Sequence, residues 1–168
     1  MPDSLYERDA LAWSERQADL LRRIAAGERL NEDVDWPNVI EEVQDVGLSE
    51  LRACNSLVRQ AMLHLLKLHA WPGSRAASHW HDEIGAFLAD AGDRFTSSMR
   101  QRISLPDQYA KALHLARTAT DDTGGPRPLP EACPFTLDDL LAERPDIPAL
   151  VALLSAPSFA PPPPGTPA

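Results

Sequence analysis

The sequence predicts an all-α protein: one domain over 1–156, a helical bundle of about five main helices followed by short C-terminal helices. Three observations carry that expectation. Apolar residues recur at three- and four-residue spacing through most of the chain. Capping residues and glycine or proline stops stand at the edges of those stretches. Alternating β-branched runs and Asn-Gly or Asp-Gly hairpin turns are missing from the sequence.

The first helix opens on Ser4 with Glu7 three residues later, a capping box in which each side chain satisfies the other's free amide. Tyr6, Ala10, Trp13, Leu20 and Ile24 then form one apolar stripe that ends at Gly27. Asp35 caps the second helix, and Pro37 sits in its first turn, where a missing amide costs nothing. Val39, Ile40, Val43 and Val46 line one side of it, and Glu41, Glu42 and Asp45 the other. Gly47-Leu48-Ser49 is expected to break or bend the chain before a third helix, Leu48 to His69. That helix carries apolar residues over so wide an arc that it is expected to be the hub of the core.

Trp71-Pro72-Gly73-Ser74 is a strong stop. A fourth helix opens at Ser78 and carries Trp80, Ile84, Phe87 and Leu88 to near Gly92. A shorter helix is expected over Phe95 to Ile103, and another around Tyr109, Leu113 and Ala116. Asp121 to Pro134, with four prolines and two glycines, reads as a loop. Thr136 caps a short helix to Glu143, and a further turn covers Ile147 to Leu154. Residues 157–168 hold six prolines and a single large apolar side chain, Phe159. They are expected to form a disordered proline-rich tail, because so little apolar surface cannot offset the entropy of ordering.

The chain of 168 residues has a formal charge of −9, unevenly spread. Residues 1–50 hold 13 acids and 5 bases, residues 51–120 hold 5 acids and 9 bases, and the remainder 7 acids and 2 bases. An acidic first third beside a basic middle points to charge-complementary packing, within the chain or between subunits. It argues against a nucleic-acid partner, which would call for concentrated positive charge. The N-terminal residues lack the basic and apolar regions of a signal peptide, and no run reaches the ~18 apolar residues of a membrane span. With two cysteines, Cys54 and Cys133, expected as reduced thiols, a soluble cytoplasmic protein is predicted.

Residues able to do chemistry are few. His64 lies among Leu63, Leu65 and Leu66 on the most apolar helix, so it is expected to be enclosed. With the acidic helix nearby, Glu41, Glu42, Asp45, His64 and Lys67 form the candidate functional cluster. A tight hairpin at residues 47–49 would set Asp45 opposite residues near Arg52, so any Glu41–His64 contact is expected to be made between subunits or not at all. His79 and His81 are weak metal candidates, since residues two apart on a helix point in different directions. A solvated helix N-terminus is the plainer reading of that segment. The four tryptophans are expected in the core, each indole N–H with a partner. Nucleophile elbows, phosphate-binding loops and activated-thiol settings are not found in the sequence, and no cofactor is expected.

Several segments together resemble a bacterial family known as domain of unknown function 29. They are Tyr6-Glu7-Arg8-Asp9 with Ala12-Trp13, the stretch Asp35-Trp36-Pro37-Asn38-Val39-Ile40-Glu41-Glu42, the run Met62-Leu63-His64-Leu65-Leu66-Lys67, and Cys133-Pro134-Phe135-Thr136-Leu137. After Trp71 the chain departs from the family's usual basic Ser-Trp segment and has His79-Trp80 instead. The resemblance implies an all-helical fold and brings no activity, substrate or cofactor.

The expected function is therefore a non-catalytic module that binds a protein partner or itself, with no nucleic-acid or membrane partner. The alternative is a metal-dependent hydrolase using His64 with Glu41, Glu42 or Asp45.

Overall fold

The structure, a computed structural model, describes residues 4–155. Helices account for all of its regular structure: α1 (Leu5–Arg8), α2 (Ala10–Ala25), α3 (Trp36–Ala70), α4 (Ala77–Arg94), α5 (Leu105–Thr118), α6 (Leu137–Leu140) and α7 (Ile147–Leu153). The expected all-α class is what is found. The chain divides into two compact units between Ser49 and Glu50, so α3 supplies a helical segment to each. The proline-rich tail lies outside the described residues.

In the first unit the Ser4–Glu7 capping box forms as its spacing predicts, but it caps only the single turn of α1. Asp9, with φ −154° and ψ 84°, leaves the helical region and ends that turn, then caps α2 by accepting from the Ala12 N–H at 3.0 Å. The expected single helix up to Gly27 is thus split, because an Asp side chain competes for backbone donors and favours a cap over a helix interior. Trp13, Gln17 and Leu20 are buried at helical spacing on α2. Gly27 adopts φ +96°, the left-handed conformation that favours glycine just past a helix end.

Asp35 ties this unit together. Its carboxylate Oδ2 accepts from the Trp13 indole at 3.0 Å and from Asn38 Nδ2 at 2.7 Å, while its own N–H donates to Gln17 Oε1 at 3.0 Å. The Asn38 bond, with the Trp13 bond and the Asn38 backbone N–H, holds the carboxyl below its ordinary range despite desolvation. Trp13 and Trp71 are buried as expected, at 6% and 3% exposure. Trp36 is not: it is 39% exposed, its indole donating to the Asn31 carbonyl at 3.0 Å on the surface.

The break expected at Gly47-Leu48-Ser49 does not occur, and α3 is helical throughout its 35 residues. A mid-helix glycine costs only about 1 kcal/mol against alanine, too little to stop a helix with good formers on either side. No hairpin therefore folds the acidic stretch back at this point. The helix expected over Phe95–Ile103 is also replaced, here by one 3-10 turn at Ser97–Met99 preceded by an extended Thr96. Thr96, Ser97 and Ser98 favour capping and turn conformations over helix interiors.

The core belongs to the second unit. Cys54, Val58, Ala61, Met62, Leu65 and Leu66 of α3 are each 0% exposed, and they sweep an arc too wide for one neighbouring helix. Ile84 and Leu88 of α4, Tyr109 and Leu113 of α5, Leu140 of α6 and Leu150 of α7 complete the cluster. Cys54 and Cys133 are free thiols, and burial pushes both up from the usual thiol range.

The segment between α5 and α6 is attached across the end of α3. Trp71 Nε1 donates to the Gly124 carbonyl at 3.0 Å, and Tyr109 donates to that of Pro130 at 2.7 Å. The Arg127 N–H donates to the Ala70 carbonyl at 3.0 Å, and His69 Nε2 lies 3.2 Å from that of Pro128. Ser74 adds a side-chain bond to Asp121 at 2.6 Å.

Two substitutions test this architecture. Leu65→Ala should destabilise the second unit by ~2–5 kcal/mol, the range for large-to-small core changes. A shift below about 0.5 kcal/mol in a urea melt, the range of surface substitutions, would show that α3 is peripheral. A Cβ at Gly47 would meet nothing within 4 Å, so Gly47→Ala should slow amide exchange around residue 47, with a gain of roughly 0.5–1 kcal/mol. Faster exchange there would mean that α3 is not continuous.

Candidate functional site

The second unit brings His64, Glu83 and His79 together. His64 projects from α3 between the partly buried Leu63 and the fully buried Leu65 and is 14% exposed, its ring set edge-on to Phe87 at 5.5 Å between centroids. Its Nδ1 stands 2.9 Å from Glu83 Oε2 on α4. The oxygen lies off the hydrogen-bonding direction, so the buried Nδ1 has no hydrogen-bond partner. His79 Nε2 approaches the same oxygen at 3.3 Å, one helical turn before Glu83. Lys67, one turn beyond His64, places its ammonium 5.9 Å from the centre of the Trp80 ring, a cation–π contact.

Burial is the main influence on His64 and lowers its proton affinity, because an imidazolium loses hydration there. Glu83 opposes that shift, while Lys67 and His79 reinforce it. The arrangement is a neutral imidazole beside a carboxylate that is itself shared with an exposed imidazole, able to pass or hold a proton. Glu83 is the residue that sequence reasoning missed. Its signal was local: His79 and Glu83 stand at the spacing of helical neighbours. That His64 would meet them depends on how α4 packs against α3, which no local pattern records.

The other candidate residues are placed elsewhere. Glu41, Glu42 and Asp45 belong to the first unit, where Glu42 Oε1 accepts from the Tyr6 hydroxyl at 2.7 Å. That bond, with desolvation and the charges of Glu42, Glu41 and Asp45, raises the Tyr6 pKa to about 12. His81 is half exposed, its Nδ1 3.8 Å from Asp82 Oδ1, and two positions along the helix from His79 it projects in a different direction. Among the described residues, no group of three or more His, Cys, Asp or Glu side chains is placed to hold a metal ion.

A second feature lies on the first turns of α3. Trp36, Ile40, Val43 and Val46 are 39%, 54%, 69% and 69% exposed. Their spacing places them on one side of the helix, away from Glu41 and Asp45. Leu11, on α2 of the same unit, is 70% exposed. Isolated exposed apolar residues are ordinary, but a helical stripe of them is the mark of a contact surface.

Comparison with known proteins extends the picture. The family described as "Domain of unknown function DUF29" matches residues 5–144. A crystal structure of an alpha-helical protein of unknown function from Rhodospirillum rubrum is 30% identical, with a TM-score of 0.68, and the match covers 90% of this chain and 98% of that one. No curated protein matches.

The His64 environment predicts a pH response. Between the depressed folded pKa of His64 and the unfolded value near 6.5, the unfolded chain binds more protons. The stability due to neutral His64 is therefore fully present above about 6.5 and is lost as pH falls through that window. Imidazole NMR should show His64 titrating below 6.5, and lower still in Glu83→Gln, which removes the opposing carboxylate. A rise in Glu83→Gln would mean that Glu83 does not act on His64.

Proposed function

The chain belongs to the DUF29 family, and from that premise we propose that it is a non-catalytic protein-interaction module whose docking surface is the uncovered apolar face of α3. The exposure of Ile40, Val43 and Val46 on successive turns carries this reading. Full burial of such a side chain is worth roughly 1.5–3 kcal/mol. A stripe of them left in water withholds several kcal/mol that a partner surface would release. The stretch that carries the stripe, residues 30–51, holds seven acids and no lysine or arginine in its sequence, which disfavours a phosphate-rich partner. No helix among the described residues is long and apolar enough to cross a membrane. The free thiols Cys54 and Cys133 suit a reducing, cytoplasmic setting.

The alternative, a metal-dependent hydrolase, draws on the unpartnered Nδ1 of His64 beside Glu83. It has less support, since among the described residues no group of three or more His, Cys, Asp or Glu side chains could hold a metal ion. Stoichiometric metal in the purified protein, lost in His64→Gln, would favour it.

The interaction reading is tested with Nile red, a neutral dye of apolar surfaces, together with solution mass. A monomer that binds dye, and loses it when Ile40, Val43 and Val46 are changed to serine, has an open face. A dimer that excludes dye until the same changes dissociate it has that face covered by its partner. A monomer that excludes dye has covered the face within its own chain, and the docking surface does not exist.

A further inference from the structure

A cleft of about 410 Å³ in the second unit is lined by His69 of α3, by the loop from Arg127 to Pro130, and by Leu154 and Ser155 at the end of α7. Leu129, Pro130 and Leu154 give it apolar walls, and Arg127 is the one permanent charge among the described residues that line it. His69 is 5% exposed, and both its ring nitrogens have partners. Nε2 lies 3.2 Å from the Pro128 carbonyl, which can only accept, so Nε2 carries a hydrogen. In the neutral ring Nδ1 then holds the lone pair, and it faces the Ser155 hydroxyl at 3.4 Å. A hydroxyl, an imidazole lone pair aimed at it and a third group that fixes the tautomer are the parts of an activated serine. The 3.4 Å separation is long, as such contacts often are before a substrate tightens them. Ser155 is held in place by its N–H, which donates to the Ala152 carbonyl at 3.0 Å, and by the buried Leu154 beside it.

From these contacts we infer that Ser155 is a site of covalent acylation, with His69 as its base and an activated acyl ester or thioester as the donor. In the step, the Ser155 Oγ–H bond breaks as its proton passes to His69 Nδ1, and a bond forms from Oγ to the acyl carbon. The bond from that carbon to the leaving oxygen or sulfur breaks. The leaving group carries off the electron pair and takes the proton from His69. Arg127, the cation of the same cleft, stabilises the negative charge that develops on the carbonyl oxygen. Its N–H donates to the Ala70 carbonyl at 3.0 Å, which fixes the residue beside His69. The apolar walls and the size of the cleft favour a short acyl chain. Because His69 is so deeply buried, an acyl group on Ser155 leaves little of the ring open to a hydrolytic water. One acyl group per chain is a modification rather than turnover, and the site is separate from the apolar face of α3.

The test treats the full chain with p-nitrophenyl acetate and locates the acetyl group by peptide mass spectrometry. p-Nitrophenolate should be released in a burst of about one equivalent per chain, with the acetyl group on Ser155. The burst should vanish in Ser155→Ala, a change at an exposed position. It should slow by at least about 100-fold in His69→Gln, which keeps an amide donor for the Pro128 carbonyl but cannot take the proton. Circular dichroism checks that both variants keep their helices. Ser49 and Ser97, exposed and without a hydrogen bond to an imidazole, serve as internal standards in the wild type and should stay unmodified. Acetyl groups on Ser97 as often as on Ser155 would overturn the proposal, even where His69→Gln fails to fold. A wild type without a burst would also overturn it, as would an unchanged burst in Ser155→Ala or in a folded His69→Gln. Continued release beyond the first equivalent, traced to Ser155, would overturn the acceptor reading and the non-catalytic one with it.

Discussion

Complete exclusion of water from one side of α3 is the constraint to which the second unit answers. Six side chains between Cys54 and Leu66 are wholly buried, over an arc that no single helix can cover. α4, α5, α6 and α7 must therefore all contribute apolar residues to the same cluster, and the short C-terminal helices are structural for that reason. His64 acquires its properties from the same constraint. It stands beside the buried arc, and the desolvation that keeps its ring neutral follows from the packing around Leu65 and Leu66.

Much of this was legible in the sequence because it is written in local chemistry. Ser4 with Glu7 and Thr136 with Asp139 form capping boxes at the predicted sites. The density of apolar residues after Leu48 identified the core helix without knowledge of its neighbours. The errors have one physical source, the weighing of a local preference against its context. Gly47 disfavours a helix, but by less than α3 gains from continuing through it. Asp9 falls inside the first helix that the apolar spacing predicts, but its side chain is worth more as a cap. Thr96-Ser97-Ser98 interrupts a segment whose apolar residues, Met99 and Ile103, are buried without needing a helix.

The candidate site was half legible. An enclosed histidine on the most apolar helix follows from its neighbours, and so does the inability of His79 and His81 to act as a pair. The acid that His64 meets does not follow, because Glu83 comes from the succeeding helix rather than the preceding one. The acids on the first turns of α3 answer to a different demand. Glu41 and Asp45 stand on the side of the helix away from an exposed apolar stripe, and the chain's uneven charge, which composition alone reveals, acquires a location there.

The way the α5–α6 segment is fastened has a consequence for how this protein can vary. Trp71, Tyr109 and His69 reach carbonyl oxygens of Gly124, Pro130 and Pro128, and the Arg127 amide reaches a carbonyl of α3. Every residue type has a carbonyl, and all but proline have an amide hydrogen. The anchors with particular side chains therefore sit on the helices and at the end of α3, whereas the loop contributes mainly its backbone. Its sequence can drift widely among relatives while its path is kept, provided that the helical donors remain. Asp121 with Ser74, Glu131 with Arg117 and the buried Phe135 against Tyr109 are the places where the loop side is specified by its side chain. Divergence in this segment should accordingly be broad in composition, narrow in length, and restrained at Asp121, Glu131 and Phe135.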